Sequence, residues 1–104
     1  MIIKDELLLA EFRAKSHCEL CKRWCPGELD AHHVFARGMG GGKRLDLRIN
    51  LVSLCRWCHQ DYHSGRISRH ELLTLVAHRE NRRPGAIATE IYRLRRRPKR
   101  RADG

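Results

Sequence analysis

No stretch of this chain is long and apolar enough to span a bilayer, and the opening Met1-Ile2-Ile3-Lys4-Asp5 lacks a basic segment followed by a secretory apolar core. Both absences point to a cytoplasmic protein with no membrane partner. Lys4-Asp5-Glu6-Leu7 spells an ER-retention tetrapeptide, but it stands at the wrong end of the chain to be read as one. No internal repeat is visible beyond two Cys-x-x-Cys pairs, so a repeat architecture is excluded. Length is scarce as well. With 104 residues the chain makes one domain with a modest core, and a bound metal would carry much of its folding free energy. Acid is scarce relative to base: 12 Asp and Glu face 22 Lys and Arg, giving a formal charge of +10 and a sequence pI near 10.1. That balance favours a polyanion, because each neutralised phosphate releases condensed counterions. The run Arg93-Leu94-Arg95-Arg96-Arg97-Pro98-Lys99-Arg100-Arg101 strengthens the expectation of nucleic acid, since like charges this dense repel one another without a polyanion nearby.

What the chain has is metal-ligand residue types in a defined order. Cys18 and Cys21 form one pair, Cys55 and Cys58 a second, and between and after them come His32, His33, His59 and His63. Two such pairs with histidines, in a chain expected to sit in a reducing compartment, point to zinc rather than disulfides. Four thiolates suit a closed tetrahedral structural zinc, while imidazoles leave coordination positions open for chemistry. The surplus Cys25, next to Pro26, breaks the regular pairing and is left out of the site. His17, His70 and His78 read as ordinary surface or core residues.

The apolar pattern places these residues on elements. An amphipathic helix is expected over about residues 4–15, packed over the zinc site, followed by a Cys18–Cys21 knuckle and a turn at Cys25-Pro26-Gly27. Strands are expected over residues 29–35 and 49–54, joined by a long loop around Gly38-Met39-Gly40-Gly41-Gly42-Lys43, and a helix over residues 55–64. Ser68-Arg69-His70-Glu71 is a capping box with Ile67 and Leu72 as its hydrophobic staple, predicting a helix over 69–80 that Pro84-Gly85 breaks. Ile87, Ile91 and Leu94 predict a last helix over about 86–94. The domain is then residues 1–92, with a motif core at 18–65, and a basic tail at 93–104 that raises affinity without adding specificity.

Helical spacing puts His59 and His63 on one side of the helix whose first turn carries Cys58, so one helix serves two metals. His32 and His33 alternate across a strand, so one of them binds the same ion and the other is free to act as a base toward water aimed at a phosphodiester. Phosphate contacts are expected from Arg37, Lys43, Arg44, Arg48 and Arg66.

Asp30-Ala31-His32-His33-Val34, the glycine-rich loop, Asn50-Leu51-Val52-Ser53-Leu54-Cys55 and Cys58-His59-Gln60-Asp61-Tyr62-His63 resemble the HNH endonuclease family, in its four-cysteine branch common in phages and mobile elements. The resemblance spans residues 18–65. It implies an α+β fold built on a small ββα-metal (His-Me finger) core, with a structural four-cysteine zinc site and flanking helices on both sides. It also implies metal-dependent hydrolysis of DNA that leaves 5′-phosphate and 3′-hydroxyl ends. By position, His33 would be the general base, His32, His59 and His63 the ligands of the catalytic ion, and Asn50 the residue that bonds the strand-loop backbone and holds His33 in orientation. Many members carry Asp where His32 stands, which leaves the ion open among magnesium, manganese, nickel and zinc. The competing expectation is a zinc-stapled DNA-binding or adaptor module without chemistry. His33 separates the two, since a pure binding module has no use for an unliganded imidazole beside an open metal. Cutting both strands with one site would invite a homodimer, and a phage packaging or recombination partner is a further expectation.

Overall fold

The computed structural model describes residues 2–35 and 44–95. The glycine-rich loop and all but the first residues of the basic tail lie outside them. Among the described residues the elements run α1 (Glu6–Arg13), β1 (Asp30–His33), a short 3-10 turn (Arg48–Asn50), β2 (Leu51–Leu54), α2 (Arg56–His63), α3 (Arg69–Glu80) and α4 (Pro84–Arg95). β1 and β2 form a two-stranded antiparallel sheet with Asp30 opposite Leu54, Ala31 opposite Ser53, His32 opposite Val52 and His33 opposite Leu51. This is an α+β protein in which a hairpin feeds directly into a helix.

Alternation along the two strands divides the hairpin into two faces. His32, Val52 and Leu54 turn toward α2 and the main core, where Val34, Leu45, Leu72, Val76, Ile87 and Ile91 are fully buried. Ala31 and Leu51 turn the other way and pack with Leu9 and Phe12 of α1 in a separate cluster. The expectation that the first helix lies over the zinc site is therefore corrected: α1 covers the opposite face of the hairpin, because its apolar stripe meets Leu51 and not the cysteines. Ser53 extends the attachment, donating its hydroxyl to the Phe12 carbonyl at 2.6 Å.

Local chemistry sets the helix ends. The Asp5 carboxylate accepts from the Leu8 N–H at 2.9 Å and starts α1. Ser68 and Glu71 form the reciprocal capping box of α3 at 3.1 and 2.9 Å, and Ile67 and Leu72 both join the main core beneath it. Asn81, at φ 56°, closes α3 in the left-handed conformation. Pro84-Gly85 accordingly does not break α3; Pro84 opens α4, where its missing N–H costs nothing. No helix of the described residues is long and apolar enough to cross a membrane.

Candidate metal centre and active site

The knuckle after α1 is a tight hairpin of backbone: Lys22 at φ 67° reverses the chain, and the Cys18 N–H donates to the Arg23 carbonyl at 2.9 Å. Cys55 sits at the N-cap of α2 and Cys58 in its first turn. The two pairs meet, with the sulfurs of Cys18, Cys21, Cys55 and Cys58 all within 4.8 Å of one another. Cys21 Sγ and Cys55 Sγ are 3.7 Å apart; a tetrahedral zinc with bonds of about 2.3 Å sets its sulfurs about 3.8 Å apart. The donor set and spacing suit zinc. Burial pushes the Cys58 and Cys55 thiols up. Burial also works against the Cys21 thiolate, but a hydrogen bond with the Arg23 backbone and the neighbouring sulfurs outweigh it and bring this thiol down to about 7. Four sulfurs so crowded ionise together only around a cation. Cys25 is buried outside this cluster.

One turn further along α2 a second centre forms. The His32 ring on β1 lies 5.0 Å from that of His59 and 6.3 Å from that of His63, centroid to centroid, while His59 and His63 stack at 4.7 Å. An ion held at about 2.1 Å by three imidazoles has their ring centres about 3.2 Å away and so about 4.5–6.5 Å from one another. The observed rings fall in that range, although among the described residues the four cysteines are the group whose ligand atoms already lie within coordination spacing of one another. His32 is buried, and its Nε2 has no hydrogen-bond partner. Burial, then the charges of His59, His63 and His33, hold it down to about 4, so it presents a lone pair at neutral pH. His59 bonds the Asp30 carboxylate through Nδ1 at 2.9 Å, which leaves Nε2 available. Tyr62 packs its ring edge against His32 at 4.6 Å and closes one side of the cluster.

His33 points to the other face of the hairpin. Its Nε2 meets Asp46 Oδ1 at 2.7 Å, and Asp46 is fully buried. Burial alone would raise the Asp46 carboxyl, but the Arg44 guanidinium, the Asp5 N–H and His33 together hold it well below the usual carboxylate range. With Asp46 ionised, His33 Nε2 carries the proton and donates it, leaving Nδ1 as an acceptor. Asn50 is fully buried. Its Oδ1 accepts from the Phe35 N–H at 2.8 Å, and its Nδ2 donates to the Leu45 and Phe35 carbonyls at 2.9 and 3.2 Å. It thereby ties together the two ends between which residues 36–43 run.

The expected phosphate-binding cations are dispersed. Arg44 is committed to Asp46 and Glu6, Arg48 is paired with Glu11, and Arg66 reaches Asp61 at 3.3 Å while staying largely exposed. Arg37 and Lys43 lie outside the described residues. Sequence reasoning missed Asp46 and the orienting contact of Asp30. Each carboxylate was visible, but nothing in the local pattern shows which imidazole it meets.

A hairpin feeding a helix, with a four-thiol metal site at the head of that helix and imidazoles gathered along it, defines a small metal-binding protein of ββα type. Residues 18–65 match the family model of the HNH endonuclease. An HNH endonuclease domain supports nuclease activity in general. Comparison with curated proteins and with solved structures returned no match.

Proposed function

We propose that the chain is a metal-dependent DNA endonuclease, with zinc at Cys18, Cys21, Cys55 and Cys58 as a structural staple. The observation that carries this reading is the unpartnered, buried Nε2 of His32, whose ring lies against those of His59 and His63. A buried polar atom without a partner costs free energy that a bound ion would recover. His32, His59 and His63 would hold a divalent ion, with magnesium, manganese, nickel or zinc as candidates. Such an ion supplies charge stabilisation to the scissile phosphate and its departing oxygen.

The residues of the chain do the rest. His33, its ring fixed by Asp46, takes the proton from the attacking water at Nδ1. Asn50 holds the backbone on either side of the loop and so holds the strand end that carries His33. Asp30 orients His59. Arg37, Lys43, Arg48 and Arg66 would contact the DNA backbone, whereas Arg44 serves mainly to charge and position Asp46. Residues 1–92 form the nuclease domain in this reading and residues 93–104 a basic extension.

A plasmid-nicking assay with added magnesium, manganese or nickel tests the proposal beside His33→Ala. The parent should cut with at least one ion and leave 5′-phosphate ends, and the variant should be slower by about 10²–10⁴ while retaining its zinc. Undiminished cutting by His33→Ala removes this residue as the base. No cutting by the parent with any ion leaves the zinc-stapled DNA-binding module as the better description.

A further inference from the structure

The chain has two tryptophans, Trp24 and Trp57, and neither is in the core: they are 68% and 53% exposed. Leaving two indoles in water forgoes a large apolar burial, which marks a surface built to receive something. Both line the same cleft of about 220 Å³, together with Arg23, Glu28 and Arg56. That volume is below the roughly 300 Å³ of a drug-sized pocket and suits a single heterocycle. The platform is rigid, because Trp57 stands between the zinc-site residues Cys55 and Cys58, and Trp24 is held by a backbone bridge to His17 across the knuckle.

Its charge indicates the occupant. Among the described residues neither Arg23 nor Arg56 has an ion-pair partner, and Arg56 lies over the Trp57 ring at 5.8 Å. Glu28 offers an acceptor to a base edge. An adjoining hollow of about 340 Å³ shares Glu28 and Arg56 and ends at Asp30, the residue bonded to His59. The two hollows thus share a wall, and the second reaches the carboxylate that His59 bonds.

We propose that the Trp24–Trp57 cleft holds an unpaired nucleobase of a DNA strand running on from the histidine cluster, so that the preferred substrate carries single-stranded or frayed DNA beside the point of cleavage. The proposal rests on the nuclease reading for its direction, but its test needs no cleavage. Aromatic platforms beside arginines bind single strands because every base has a face to stack, and a base inside an intact duplex cannot reach them.

Since Trp24 and Trp57 are the only indoles beside two tyrosines, emission excited selectively at the indole band reports on this cleft alone. The zinc-loaded chain, with no other divalent ion added, is titrated with a short single-stranded oligodeoxynucleotide of mixed sequence and with an abasic strand of equal length and charge. The base-bearing strand should quench the emission and the abasic strand should not. Trp24→Ala and Trp57→Ala should each weaken single-strand binding about tenfold with one zinc per chain retained. Equal quenching by the two strands overturns stacking, as does undiminished affinity in both variants. No quenching while duplex DNA is bound in a gel shift also overturns it, and hands the platform to a protein partner. Absence of plasmid cutting bears on the nuclease reading and leaves this titration as it is.

Discussion

Asp46 is the residue on which most local electrostatics converge: it is fully buried, charged, and bonded to Arg44, to the Asp5 backbone and to His33. Its folded pKa lies below its unfolded value, so the unfolded chain binds the proton more readily. The stability this creates is present above the ordinary carboxylate range near pH 4 and is lost as the pH falls through and below it. Asp46→Asn should lack that acid-limb dependence in a denaturation series and be less stable at neutral pH by about 3 kcal/mol, because Arg44 loses its buried counter-charge and keeps only the exposed Glu6. The same variant should cut plasmid DNA more slowly than its lost stability explains, since an amide at this position no longer obliges His33 to donate through Nε2. A variant whose rate tracks only its folded fraction would reduce Asp46 to a structural residue.

At the scale of elements, the hairpin derives its order from what clasps its open ends. Asn50 closes the foot of the loop, while the Ile3 N–H and carbonyl bond Arg44 and Asp46 on the returning strand side at 2.9 and 2.8 Å. Removing the Asn50 amide strands a buried Leu45 carbonyl and the Phe35 N–H, each worth about 1–3 kcal/mol when left unpaired. Asn50→Ala should therefore lower stability by about 2–4 kcal/mol, measured by urea denaturation, with zinc still bound at its four thiols. On the far face, Arg79 of α3 reaches Glu19 of the knuckle at 2.8 Å and lies 4.9 Å from the Phe12 ring of α1, so one side chain fastens α3 to a segment some 60 positions earlier.

For the molecule as a whole, the four-cysteine site is built into the main core of a small chain. Cys18, Cys55 and Cys58 are themselves members of the main core cluster, so loss of a zinc held there would open the core. A strong chelator should unfold the chain cooperatively, seen as simultaneous loss of far-UV ellipticity and release of zinc. Cys58→Ser should behave like the chelated protein, and Cys25→Ser should keep its metal. Retention of native ellipticity after complete zinc removal would show that the core is self-sufficient.

The order and spacing of Cys18, Cys21, Cys55 and Cys58, the capping box at Ser68 and the helix over 69–80 were legible in the sequence, because each is a local or strictly periodic arrangement that survives in one dimension. The strand pair was legible too, with its edges a residue or two inside the expected ones. Three things were decided only in three dimensions. The alternation that parts His32 from His33 was expected, but the carboxylate that His33 meets, Asp46, stands 13 positions away where no local pattern selects it. Arg44, by composition a phosphate-binding cation, became the counter-charge of a buried carboxylate. Packing also turned α1 to the rear of the hairpin and left both indoles on one cleft, because which surfaces meet depends on the complementarity of whole faces and not on the residues of any one segment.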